Sequence, residues 1–286
     1  MKLYEILDSG RRILEGNGVP DPDVDAELLW QYVSGMNKLD IIMNRGEDIS
    51  SDIADRYMRA ISERRSRIPL QYITGVQNFM GYDFDTSENV LIPRMDTETL
   101  VETALKIADT YGDDRITVLD MCCGSGCIGV SFGMMKPESD ITMADISPYA
   151  LELTRRNIRK ICSDDVRFHV VKSDLFEGIS GQYDLILSNP PYIKSSVIDM
   201  LMPEVRDHEP RLALDGMQDG LYFYRIIAVK ARDYIKDEGY VVFEIGNDQA
   251  EDVQHLFVES GYDDIHLVQD LSNNDRVVYG RYKRSN

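Results

Sequence analysis

The chain has 286 residues, an ordinary apolar content and a formal net charge of −19. That length accommodates two domains with sizeable cores. The composition excludes two classes of partner: no run of eighteen apolar residues could cross a membrane, and so acidic a surface repels polyphosphate, whose binding relies on Lys and Arg. The one basic run, Arg56–Arg67 with Arg59, Arg64 and Arg65, reads as a solvated helix face. The start, MKLYEILDSGRR, has no apolar core of a secretion signal, so a cytoplasmic protein is expected. Cys122, Cys123, Cys127 and Cys162 lack metal-ligand spacing and read as small thiols in a reducing compartment, with no metal.

The first 70 residues read as helices only. Leu3, Ile6, Leu7, Ile13 and Leu14 recur at helical spacing up to Asn17-Gly18. Asp21 and Pro22 read as an N-cap and first-turn proline. The helix they open carries Val24, Leu28, Leu29, Tyr32 and Val33 and stops at Gly35. Ser51 opens another, with Ile53, Tyr57, Met58 and Ile61 on one face, and Pro69 closes it. Residues 71–95 are rich in aromatic and β-branched side chains broken by Gly75 and Gly81, which predicts a β-hairpin linker.

From residue 96 to 286, short apolar runs alternate with helical stretches. Strands are predicted at 116–121, 140–145, 166–171, 183–188, 240–245, 264–269 and 276–282. Helices are predicted at 126–136, 148–161, 219–237 and 248–260. Alternation of this kind means a parallel sheet covered on both faces. The last two strands are joined only by the polar turn 270–275, which predicts an antiparallel hairpin at the sheet edge. No exposed apolar stripe stands out, so a monomer is expected.

The strand ends carry the chemistry. The first ends in Asp120, followed by Met121, Cys122, Cys123, Gly124, Ser125 and Gly126 before a helix. Glycines there let a ligand approach the backbone. The second ends in Asp145, an acid placed to hydrogen-bond ribose hydroxyls. The third leads into Asp174 and Leu175, an acceptor for an adenine amine and an apolar cover for its ring. These groups suit either NAD or S-adenosylmethionine.

The fourth strand decides between them, because it ends in Asn189-Pro190-Pro191-Tyr192. Two prolines stiffen the turn and would fix the Asn189 amide oxygen and the Pro190 carbonyl as two acceptors. Two fixed acceptors suit a conjugated NH₂ group, and Tyr192 offers a flat face for stacking. Accepting both hydrogens offsets the charge that develops as such a nitrogen attacks a methyl sulfonium. No comparable acid or base for hydride transfer lies near the strand ends.

This tetrapeptide resembles that of the amino-methyltransferases, which include adenine-N6 enzymes acting on nucleic acid and glutamine-N5 enzymes acting on protein. Further segments resemble one branch, the release factor N5-glutamine methyltransferase family. They are Pro69–Gly75, Leu91–Glu98, Asp120–Gly129, Ser188–Ile193, Glu209–Leu214 and Asn274–Val277. Met95, Cys122 and Leu175 depart from that family's usual residues. The resemblance implies a class I, Rossmann-like, seven-stranded α/β methyltransferase domain behind a small helical substrate-docking domain. It implies S-adenosyl-L-methionine as cofactor, with S-adenosyl-L-homocysteine as product. It implies the glutamine of the Gly-Gly-Gln motif of class I peptide chain release factors as substrate, with no direct nucleic-acid contact. By position, Asp145 would hold the ribose, Asn189 and Pro190 the substrate amide, and Tyr192 would stack on the glutamine, with residues 91–92 covering its other face. Arg94 and Glu209 match the family without a physical role from sequence beyond an ion pair or a loop anchor. The acidic balance and the helical domain stand against the adenine-N6 alternative, and the intact Asn189 and Tyr192 against an inactive binding scaffold.

Overall fold

A computed structural model of the chain describes residues 1–112, 115–162 and 166–284. They form two compact units: Met1–Val76 with Met202–His208, and Gln77–Leu201 with Glu209–Asn286.

The first unit contains helices α1 Leu3–Glu15, α2 Pro22–Ser34, α3 Lys38–Met43, α4 Ser51–Arg65 and α5 Leu70–Thr74. Its core gathers Leu3, Ile6, Leu14, Leu29, Trp30, Tyr57 and Ile61. Several sequence expectations are corrected here. Trp30, not the Val24–Tyr32 row, turns α2 inward. Val24, Leu28 and Tyr32 are exposed, as are Leu39, Ile42 and Met43 on α3, so an apolar stripe exists where none was expected. Asp21 makes no side-chain cap, whereas Ser50, one residue before the predicted start, accepts from the Ile53 amide. The arginine run is not simply a solvated face, because Arg64 is buried. Arg64 Nε donates to Asp25 at 2.6 Å and Nη2 to Glu204 at 2.8 Å, while Arg67 pairs with the same Glu204. Residues 70–74, placed by sequence partly in the hairpin linker, are α5.

The second unit starts with a two-stranded hairpin, β1 Val76–Phe79 and β2 Tyr82–Asp85. A seven-stranded sheet follows: β3 Thr117–Met121, β4 Asp140–Asp145, β5 Phe168–Lys172, β6 Tyr183–Ser188, β7 Ile235–Glu244, β8 Tyr262–Gln269 and β9 Asp275–Tyr282, in the order β5-β4-β3-β6-β7-β9-β8. β3 to β7 pair in parallel, and β9 lies antiparallel between β7 and β8. The longer helices are α6 Glu98–Ala108, α7 Cys127–Met135, α8 Pro148–Ile161, α9 Tyr222–Lys230 and α10 Ala250–Glu259. Alternate strand residues serve opposite faces. Val118, Leu185, Leu187 and Val242 pack with α6, α7, α8 and the hairpin's Phe79 and Phe84. Leu119, Ile186, Val241 and Phe243 pack with α9 and α10. Because both faces are covered, consecutive β6 residues Leu185, Ile186 and Leu187 are all apolar. The helix predicted over 219–237 is shorter: α9 ends at Lys230, one 3₁₀ turn follows, and β7 already begins at Ile235. No helix among the described residues is long and apolar enough to cross a membrane.

Candidate active site

The sheet order reverses at β3, which has β4 on one side and β6 on the other. A crevice must therefore open beyond the carboxyl ends of these strands. A cavity of about 310 Å³ lies there, walled by Cys122–Ser125, Asp145, Asp174, Leu175 and Asn189, with Leu91, Ile92 and Arg94 among the residues opposite.

The loop after β3 is built for close backbone approach: Cys122, Gly124 and Gly126 all have positive φ, at 62°, 55° and 80°. Cys122 holds this conformation without being glycine. Helix α8 fixes the loop from behind. Thr154 Oγ1 donates to the Gly124 carbonyl at 2.9 Å, and the buried Asn157 Nδ2 donates to the Ser125 carbonyl at 2.9 Å. A methyl group on Gly126 would come 2.9 Å from Thr154 Cγ2. Asp145 accepts from the Gly124 and Ser147 amides, one on each oxygen, at 2.9 Å. A carboxylate has about four acceptor sites, so capacity remains for a further donor. Burial raises the Asp145 pKa, and these amides pull it back.

Not every residue expected at the cofactor lies on the cavity wall. Asp120 is fully buried behind it, where Oδ2 accepts from the Gly129 amide at 2.9 Å and pins the start of α7. Burial pushes its pKa up to about 7. Gly126 caps α7 and is also off the wall.

Of the tetrapeptide, Asn189 and Pro191 reach the wall, and Pro190 and Tyr192 do not. The Tyr192 ring packs in the core cluster under α9 and α10. Its hydroxyl donates to Glu244 Oε1 at 3.4 Å, and its carbonyl accepts from Gln249 Nε2 at 3.0 Å. The expected stacking face is thus turned into the fold, because the hydroxyl has a buried carboxylate to satisfy. Asn189 Nδ2 donates to Thr97 Oγ1 at 3.4 Å. Arg94 Nη2 lies 2.7 and 2.6 Å from the two Glu209 oxygens, so the family-like pair is an ion pair with its guanidinium on the cavity wall.

Sequence reasoning missed Thr97, Glu244, Gln249, Gly216 and Gly220, all of which touch the Asn189–Tyr192 segment or its partners. Glu244 carried a usable signal, an acid at the carboxyl end of the fifth parallel strand, where the three preceding acids had already been read as functional.

Residues 5–75 match the PrmC N-terminal domain family and residues 79–207 the methyltransferase small domain family. A release factor glutamine methyltransferase from Clostridium botulinum is 37% identical over 98% of this chain and 99% of its own. Another, from Geobacter sulfurreducens, is 38% identical over 98% and 96%. The chain belongs to the release factor glutamine methyltransferase family. A methyltransferase from Pyrococcus furiosus superposes with a TM-score of 0.52 at 15% identity, over 71% of this chain and 90% of that one, and shares the fold. The family-like segments 91–98, 188–193 and 274–277 meet in the fold, where Asn189 reaches Thr97 and Arg276 reaches Asp96.

Proposed function

We propose that this chain transfers the methyl group of S-adenosyl-L-methionine to the side-chain amide nitrogen, N5, of the glutamine in the Gly-Gly-Gln motif of class I peptide chain release factors, in the cytoplasm. The observation that carries this reading is full-length likeness to the family together with Asn189 on the wall of the crevice.

The residues present fit a nucleoside-bearing cofactor. Asp145 lines the cavity with acceptor capacity left for ribose hydroxyls, Asp174 is exposed to the cavity, and Leu175 offers an apolar wall at the same strand end. When bound, S-adenosyl-L-methionine supplies an electrophilic methyl sulfonium. The chain's own part is to hold the incoming NH₂. Asn189 Oδ1, on the cavity wall, is the proposed acceptor for one N–H, and the adjoining Pro190 carbonyl, which lies off that wall, is proposed to take the other once the substrate enters. Drawing on both hydrogens localises the amide lone pair and offsets the positive charge that grows on nitrogen. The prolines keep these acceptors from relaxing as that charge appears.

The test is transfer from labelled S-adenosyl-L-methionine to a release factor, to the same factor with its motif glutamine changed to asparagine, and to duplex DNA. Label is expected in the first alone, and label in DNA with none in the release factor would end the reading. Asn189→Ala should retain cofactor binding and lose about a hundredfold or more in turnover, on the order of 3 kcal/mol.

A further inference from the structure

The Asn189 carboxamide has an accepting end and a donating end of nearly equal shape, and only one orientation serves a substrate NH₂. What sets that orientation runs from the cavity wall, where Thr97 stands, into the core behind it. Asn189 Nδ2 donates to Thr97 Oγ1 at 3.4 Å. Thr97 is buried, so a hydroxyl that accepts from the amide must place its own proton elsewhere. Glu244, at the carboxyl end of β7, is 1% exposed, and the Thr97 hydroxyl is one of two that hydrogen-bond to its carboxyl. Its Oε1 accepts from the Tyr192 hydroxyl, and its Oε2 has no hydrogen-bond partner among the described residues. Burial raises its pKa to about 7, while the Thr97 hydroxyl, the Arg276 charge and the Tyr192 hydroxyl pull it back toward the charged form, which prevails above that pH. An ionised carboxylate accepts only. Hydroxyls facing it turn their protons toward it and their lone pairs away.

We propose that Thr97 and Glu244 are positioning residues. The carboxylate takes the Thr97 proton, the Thr97 oxygen is left to accept from Asn189 Nδ2, and Asn189 Oδ1 is thereby turned toward the substrate. Tyr192, anchored on the same carboxylate, fixes the far end of the tetrapeptide. Arg276 holds the other side of the cluster, with Nη2 3.2 Å from Asp96 and 3.1 Å from Asp270. Asp96 precedes Thr97 in the chain, so Arg276 steadies the segment that carries Thr97. Without the Glu244 carboxylate, the Thr97 proton is free to point at Asn189, which favours the flipped amide and sets a donor against the substrate's donors.

The proposal rests on Asn189 as acceptor, and its test separates the two. Thr97→Ser, Thr97→Val, Glu244→Gln and Asn189→Ala are compared in the full chain for kcat, for KM toward release factor and for cofactor affinity by calorimetry. Thr97→Val and Glu244→Gln should lower kcat by about 10- to 100-fold. Cofactor affinity should stay near wild type, and Thr97→Ser should keep most of the activity. A merely structural role would not spare cofactor binding while Ser rescues kcat. Loss of turnover in Asn189→Ala alone, with Thr97→Val at wild-type kcat, overturns the positioning role and leaves the acceptor. A Ser variant as impaired as Val also overturns it. Full turnover in Asn189→Ala overturns both. Should Glu244→Gln fail to fold, the near-isosteric Thr97→Val decides.

Discussion

A methyl group on Gly220 would sit 2.4 Å from the Tyr192 carbonyl oxygen, and one on Gly216 2.7 Å from Tyr192 Cα. The backbone of the proposed acceptor segment is thus packed directly against two glycines that follow it by more than twenty residues. Gly220 also has φ of +78°, which penalises any side chain there. Gly220→Ala should therefore cost about 2 kcal/mol or more in stability and push Tyr192 off Gln249. A lowered urea midpoint with reduced turnover checks this, and wild-type values in both would refute it. At the cofactor end, Asp145→Asn replaces an acceptor with an NH₂ that must face an amide donor. It should weaken cofactor binding by about 10- to 100-fold, read by calorimetry, with a smaller change in kcat at saturation. Asp145 was legible in the sequence because an acid at a second strand tip has a direct job. Thr97 and Glu244 were not, because their meaning depends on groups 92 and 52 residues away meeting in the fold.

At the scale of elements, α8 is the brace of the crevice. Asn157 accepts from the Asp85 amide at 2.8 Å and donates to the Ser125 carbonyl, so one buried amide joins the end of β2 to the glycine loop. Arg156 and Lys160 add ion pairs to Asp85 from the same helix. Asn157→Ala strands a buried donor and a buried acceptor and should cost about 2–4 kcal/mol. Faster hydrogen exchange at the Asp85 amide, with weaker cofactor binding, is the expected signature. Unchanged exchange there would show that the hairpin holds without the brace. The long elements were readable: β4 and β6 run over the predicted residues, since a strand buried on both faces leaves an apolar run with sharp ends. Short helices such as α3 and α5 were not, because a helix of one or two turns is stabilised by packing rather than by its own sequence. The inward face of α2 was misjudged for a related reason. Val24, Leu28 and Tyr32 share one helical row, and Ala26, Trp30 and Val33 share another; only tertiary packing chooses between them.

Across the whole molecule, acidity acts from the surface and from two buried points. Burial pushes both Asp120 and Glu244 up to about 7, against ordinary values near 4. In the unfolded chain these carboxyls ionise first, so between about pH 4 and 7 the native state binds more protons than the unfolded state. Stability then falls as pH rises through that window and levels off above it, by up to on the order of 3 kcal/mol per group. The carboxyls with lowered values, Asp184 and Glu204 among them, act in the opposite sense but below about pH 4, so they do not cancel the effect near neutrality. The net charge of −19 adds to the decline, because self-repulsion grows as the last acids ionise. The chain should thus be more stable at pH 5.5 than at pH 8. The double variant Asp120→Asn, Glu244→Gln should lose most of that slope while keeping the salt-dependent part, since added salt screens surface repulsion and not a buried carboxylate. Urea midpoints at both pH values, in low and high salt, separate the two contributions. An equal pH slope in the double variant would place the dependence elsewhere. Retaining Glu244 despite this cost is what a carboxylate used to orient Asn189 requires: the stability lost on its ionisation is the condition for its holding the Thr97 and Tyr192 protons above about pH 7.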